Sequence, residues 1–371
     1  MRRQWIIEGA LAACAGIAVL ATARLSADDE PKAATKGGGG QEVAPVDPKA
    51  EKARTARALA VARDGSVSVE ARVKAVREIG FVADDPEGVR TLQGIVGDPK
   101  QDNALRLAAV QALPVYDQPA AIDALAAVVE DPKAGADLKI AAIEKLQAAA
   151  SFTPAGRQGQ PRILKALRGA LADPRVTVRR QAMEYLALIN DEAAVGLLKG
   201  ILAANQEPSS KFTKAEAVRY LALEDPRKHF EAIRPALAAS EPEARAAAVT
   251  ALGSDPASRP RITELLNARN QPTQVKAAAL QCLAAYDPQF PTYVSKYFQD
   301  KGLDPEVRSA AIEALGRAMN SSKVAVPRAQ ALTEQIRGIL KDAPDSVKKS
   351  AQQFLELRAP APYLAPPEPK K

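Results

Sequence analysis

Any chemistry on this chain has to be built from a narrow set of side chains. His229 is the only histidine in 371 residues, and the cysteines are Cys14 and Cys282. A histidine-based triad or a histidine-rich metal centre has little to draw on. Cys282 lies in "LQCLAAY", a core-like spacing that reads as a small buried hydrophobe rather than a reactive thiol. No G-x-x-x-x-G-K-[ST], G-x-S-x-G or C-x-x-C motif is present. The glycines Gly37 to Gly40 sit in a polar stretch, not between a strand and a helix, so they are no phosphate loop. The paired acids Asp84 and Asp85 directly precede Pro86, where helix capping accounts for them. The sequence thus predicts no catalytic residue, no cofactor and no metal.

What does recur is a basic residue followed by alanine three positions on and an apolar residue seven on. Arg72, Arg106, Lys139, Arg179, Lys214, Arg245, Lys276, Arg308 and Lys348 head nine such copies, spaced 31 to 40 residues apart. The longer intervals hold "SFTPAGRQGQ" and "NSSKVAV", read as extra polar loops. Each copy follows a second amphipathic stretch, such as "AAIDALAAVV" or "RILKALRGAL", so each unit is a pair of helices. Asp-Pro or Glu-Pro marks several of the turns, as at Asp173-Pro174, Glu241-Pro242 and Asp304-Pro305. There the acid is placed to cap free helix N–H groups, and proline suits the first helical position. Aromatics make up only 4% of the chain, alanine and leucine dominate its apolar content, and no β-branched alternation appears. The fold class is all-α.

In the copy from Asp304 to Gly316, Val307, Ala310, Ala311, Ala314 and Leu315 share one apolar face. Arg308 lies at its edge, four residues after Asp304, a spacing that suits a local ion pair bracing the stack. Glu313 points away from that face. Its register partners are Arg77, Gln111, Glu144, Glu184, Arg219, Thr250, Gln281 and Gln353. Their signs are mixed and form no basic stripe, which argues against a nucleic-acid groove despite a net charge of +7. Candidate partner-binding residues are Glu144, Glu184, Arg219, Gln281 and Glu313. The aromatic segment "QFPTYVSKYFQD" adds Tyr293 and Tyr297, with packing between repeats as the other reading.

The form D-P-x-V-R-x-x-A-x-x-A-L-G resembles the HEAT repeat family, including the bacterial repeats similar to those of phycobilisome lyases. The resemblance covers residues 50–358; the turn acid is displaced near Lys139 and missing near Lys276. It implies a right-handed α-solenoid of about nine helix pairs, a charge ladder at the turns, second helices lining the concave side, and a habit of binding proteins. It implies no reaction. HEAT-repeat iron hydroxylases use several His-Glu pairs, which this chain cannot supply.

The flanks differ in kind. Residues 1–27 have a basic start at Arg2 and Arg3, an uncharged run from Gly9 to Ala23, and small residues before Asp28. That is the layout of an export signal, and the uncharged run is shorter than the roughly 20 residues a bilayer needs. An uncleaved membrane anchor and lipidation at Cys14 are the alternatives. Residues 28–49 read as a flexible tether and 359–371 as a proline-rich tail. The expected protein is an exported, periplasmic or envelope scaffold that binds a protein partner without catalysis. The rival readings are an enzyme with a site in the groove and a purely architectural rod.

Overall fold

A computed structural model describes residues 48–80, 85–113, 119–203, 212–320 and 326–358. The export signal, the tether up to residue 47 and the proline-rich tail lie outside the described residues. The chain divides into residues 1–51 and 52–371, and the fold is that of the second unit.

The described residues contain helices and no strand. They pair as the repeat requires. The pairs are α1 (Pro48–Arg63) with α2 (Val69–Gly80), α3 (Pro86–Gly97) with α4 (Asn103–Ala112), and α5 (Pro119–Glu130) with α6 (Ala136–Phe152). After a short α7 (Pro154–Gln158), α8 (Gln160–Ala170) pairs with α9 (Val176–Leu188), and α10 (Glu192–Ala203) with α11 (Lys214–Leu221). In the next unit two 3-10 turns flank α12 (Phe230–Ile233) before α13 (Pro242–Ala251). Then α14 (Arg259–Asn267) precedes α15 (Thr273–Tyr286). The broken pair α16 (Phe290–Tyr293) and α17 (Ser295–Gln299) precedes α18 (Pro305–Asn320), and α19 (Val326–Ile339) precedes α20 (Asp345–Glu356). Pro48 and Lys49, counted above with the tether, open α1.

The second helices, α2, α4, α6, α9, α11, α13, α15, α18 and α20, each pack on the next and form one continuous layer. The repeat alanine makes this possible. It is buried in all nine copies, from Ala75 at 5% exposure to Ala311 and Ala351 at 0%. A small side chain there lets successive helix backbones approach. Gly80 and Gly253 extend the same logic at the helix ends. A Cβ on Gly80 would lie 2.7 Å from Ala112 Cβ, and one on Gly253 would lie 2.9 Å from the Tyr286 ring. The apolar residue four after the alanine fills the space between units, as Leu315 does at 0% exposure.

Two local expectations need correction. "SFTPAGRQGQ" is not an open loop: it contains α7 and the start of α8. The Thr153 hydroxyl accepts from Gly156 N at 2.8 Å and donates to the Ala149 carbonyl at 3.0 Å, so one residue closes α6 and caps α7. Glu241 makes no side-chain cap on α13, whereas Asp85 does cap α3, accepting from the N–H groups of Glu87 and Gly88.

Candidate partner-binding face

The recurring basic residues come first, because their partners decide whether they are free to grip a ligand. Arg308 does not pair with Asp304. Its Nε donates to the Phe298 carbonyl at 3.0 Å, while Asp304 accepts from Glu306 N at 2.8 Å. Arg72 and Arg106 repeat the arrangement ten residues back, onto the carbonyls of Ala62 and Val96. The last-turn carbonyls of a helix have no intrahelical donor and carry the negative end of its dipole, so a buried cation satisfies both needs. Arg179, Arg245 and Lys276 instead hold turn carbonyls at Asp173, Ala239 and Arg269.

Several of these residues also reach the next unit. Arg72 donates to Gln101 Oε1 at 2.9 Å, Arg106 lies 3.6 Å from Asp131, and Lys214 lies 3.7 Å from Glu241. Lys139 and Asp173 meet at 2.9 Å, with side chains only 5% and 4% exposed. Hydrogen bonds from Arg175, and then from Lys139, hold the Asp173 carboxyl far below the usual carboxylate range. From Arg72 to Arg308 the ladder is therefore internal and leaves these residues committed to the fold.

The positions in register with Glu313 behave differently. All nine are exposed on the second-helix layer. Partial desolvation raises the Glu144 carboxyl above its ordinary value. Glu184 is exposed near Tyr220, whose hydroxyl is raised by burial first and then by the Glu216 and Glu184 charges. Gln281 is exposed on α15. Glu144, Glu184 and Gln281 line neither of the two cavities described next.

Arg219 and Thr250 meet in a cavity of about 450 Å³ formed by α11, α13 and α15. Ala222, Ala246, Ala247 and Ala251 form its apolar wall, and Glu243, Ser254, Gln274 and Tyr286 its polar and aromatic rim. Gln274 Nε2 donates to Glu243 Oε1 at 3.4 Å. Arg219 makes no hydrogen bond or ion pair among the described residues. Tyr286 is 45% exposed, and its ring rests against Gly253. The cavity's titratable groups are one guanidinium, one carboxylate and one phenol, with no histidine or thiol.

Glu313 and Gln353 meet in a second cavity of about 300 Å³ between α18 and α20. Ser350 Oγ donates to Glu313 Oε1 there at 3.2 Å.

Tyr293 and Tyr297 serve packing. Tyr297 is 6% exposed and donates to Asn267 Oδ1 at 2.8 Å, and Tyr293 is half-buried and donates to Asp287 Oδ2 at 2.6 Å. Their rings meet edge to face at 6.5 Å, and Lys296 lies over both. Burial pushes the Tyr297 hydroxyl up to about 12. Cys282 is buried too, and desolvation pushes its thiol to about 11, away from the range of a reactive thiolate.

Sequence reasoning missed Tyr286, Glu243 and Gln274. The signal for Tyr286 was present in "AAYDP": a large ring at the end of a second helix, beside the glycine that closes the preceding copy. Among the described residues no helix is long and apolar enough to cross a membrane.

Comparisons with known proteins agree with this architecture. Residues 55–147 match the HEAT repeat model. No curated protein matches the chain by sequence. Among solved structures, Kap95p in complex with RanGDP is similar with a TM-score of 0.59 at 16% identity, over 83% of this chain and 45% of that one. Kap121p is similar with a TM-score of 0.56 at 14% identity, over 85% and 38% respectively. Kap121p bound to Nup53p gives a TM-score of 0.54 at 14% identity, with the same coverage. This chain spans less than half the length of these karyopherins. The fold is a HEAT-like α-solenoid, and its sequence carries recognisable HEAT repeats over residues 55–147.

Proposed function

We propose that this protein is an exported, non-catalytic scaffold that holds an extended segment of a partner protein on its second-helix layer. The cavity between α11, α13 and α15 carries the reading. Its alanine wall lets a foreign main chain approach closely, Arg219 offers a guanidinium fork with no internal partner, and Tyr286 offers a ring held from behind by Gly253. Arginine and tyrosine are the residue types that concentrate binding energy at interfaces. The lining brings no histidine or thiol to its one carboxylate, Glu243, which gives little for catalysis. Similarly folded solenoids bind other proteins, as in Kap121p bound to Nup53p and to the extreme C-terminus of the protein phosphatase Cdc14p. The narrower likeness to phycobilisome-lyase repeats rests on the sequence pattern alone. Export to the periplasm or envelope rests on residues 1–27, and mass spectrometry of the native protein should find an N-terminus near Asp28; a full-length cytosolic chain would refute it.

Site-specific photo-crosslinking in the native cell tests the binding reading. A crosslinker at Tyr286 should capture a protein. One at Leu197, an exposed residue of the first-helix layer, should not. Capture from Leu197 with none from Tyr286 would move the site off the proposed face.

A further inference from the structure

His229 is 7% exposed, and its ring bridges two units of the solenoid. Its Nε2 lies 3.0 Å from Oδ1 of Asn190, 39 residues earlier. Asn190 closes α9 in the left-handed region, at φ 56°. Its N–H donates to the Ala187 carbonyl at 3.0 Å, and that of Asp191 to the Leu186 carbonyl at 2.8 Å, so this end of the bridge is fixed. The other end is built more loosely. His229 ends a four-residue 3-10 turn, Pro226–His229, and precedes the four-residue α12 without a side-chain cap. Short elements of this kind hold few internal bonds and belong to the low end of local stability.

A neutral imidazole has one N–H and one acceptor nitrogen. With Nε2–H given to Asn190, Nδ1 is the acceptor, and it is buried with no partner among the described residues. Protonation would turn it into a second buried donor without an acceptor and bring a full charge into the site. The charged groups facing the ring do not favour that charge. Lys199 comes from α10, and Glu224, Asp225 and Lys228 from the ring's own segment. Glu224 is taken by Lys228 at 2.5 Å and Asp225 by Arg227 at 2.8 Å, while Lys199 makes no ion pair among the described residues. On the neighbouring elements, Asp191 is held by Arg168, Arg234 by Asp255, and Arg245 by the Ala239 carbonyl; Glu192 and Glu231 are exposed, and Glu243 lines the cavity. Burial first, then Lys199 and Lys228, hold the imidazole below its ordinary value, against the smaller pull of Glu224 and Asp225.

We propose that His229 is an acid-sensitive latch. At neutral pH it ties the segment from Asp225 to Ile233 to the end of α9; in mild acid the imidazolium leaves Asn190 for solvent and the segment loosens. Pro226, three residues before His229, is part of the wall of the cavity between α11, α13 and α15. Loosening therefore reshapes that cavity and weakens its hold on a partner. Only this last consequence rests on the cavity's being a binding site. The opened segment takes up its proton near the ordinary value of about 6.5, above the folded value. The latch is thus closed above about 6.5 and is lost as pH falls toward the lower folded value, the opening equilibrium rising up to about tenfold per pH unit.

His229 is the only histidine, so NMR of the full chain, untagged and labelled on the imidazole nitrogens, reads it alone. At neutral pH the proton should sit on Nε2, and the titration midpoint should lie below that of the same chain unfolded in urea. Amide hydrogen exchange, corrected for its intrinsic pH dependence, should show residues 225–233 losing protection several-fold between neutral pH and about pH 5.5, with α18 unchanged. His229→Gln should abolish the loss. Lys199→Gln, at an exposed position, should raise the imidazole midpoint and the exchange transition together. A midpoint at or above that in urea, a loss that persists in His229→Gln, or a midpoint that moves in Lys199→Gln without the exchange would overturn the proposal. The crosslink from Tyr286 should weaken in acid on the native chain and persist on His229→Gln. Its absence at every pH would count against the binding reading alone, since the ring and exchange signals need no partner.

Discussion

Arg308 and Phe298 are joined across ten residues: the buried guanidinium donates to the carbonyl of the preceding helix at 3.0 Å, and Asp304, four residues before it, takes no part. In this copy, as in those of Arg72 and Arg106, the basic residue is thus a helix C-cap supplied from the next helix, not half of an ion pair with the turn acid.

This separates two variants that an ion pair would couple. Arg308→Ala should cost about 1.5–3 kcal/mol, the range for hydrogen bonds to charged groups. Asp304→Ala should cost less, and the double variant should be additive to within about 0.5 kcal/mol. Urea midpoints of the three proteins decide it. A large coupling energy would restore the ion pair.

Leu315 is fully buried between units. Leu315→Ala should cost roughly 2–5 kcal/mol, as core truncations do. An unchanged urea midpoint would mean that the register of the repeat is wrong.

The Lys139–Asp173 pair gives a dependence on pH. The folded-state value of Asp173 is depressed, through Arg175 first and Lys139 next. Its contribution is present above the unfolded value of about 3.9 and is lost as pH falls toward the lower folded value. Asp173→Asn should therefore destabilise by about 3 kcal/mol at pH 7, and the gap to the native protein should narrow steadily in acid. A gap independent of pH would show that the carboxylate is not held ionised by its partners.

Much of the fold was legible because the repeat constrains it. Arg72 through Lys348 mark nine second helices, and the alanine three residues after each proves to be buried. The partner of Arg72, Arg106 and Arg308 was not legible, because it is a main-chain carbonyl and main-chain atoms leave no trace in residue identity. The helix in "SFTPAGRQGQ" was hidden for a related reason: polar and glycine residues look loop-like until Thr153 is seen capping it. Of the candidate site residues, exposure on the second-helix layer follows from spacing alone. Which of them share a cavity depends on how far apart neighbouring helices sit. Arg219 therefore joins Tyr286 and Glu243, while Glu144 and Glu184 stay apart from both cavities.

Gly253 supports the Tyr286 ring at a distance that excludes a Cβ. The ring can swing, so Gly253→Ala should leave the melting temperature nearly unchanged while turning Tyr286 away from its place beside the cavity. Partner binding should fall several-fold. Unaltered binding with a displaced ring would remove Tyr286 from the site.

The most direct test of the scaffold reading is quantitative capture from envelope fractions with the native chain and with an Arg219→Glu, Tyr286→Ala double variant, alongside thermal melts. Both positions are exposed, so each substitution should shift stability by under about 0.5 kcal/mol. A stoichiometric protein partner should be captured by the native chain and lost from the double variant while the melts superimpose. The same partner retained equally by both proteins would contradict it.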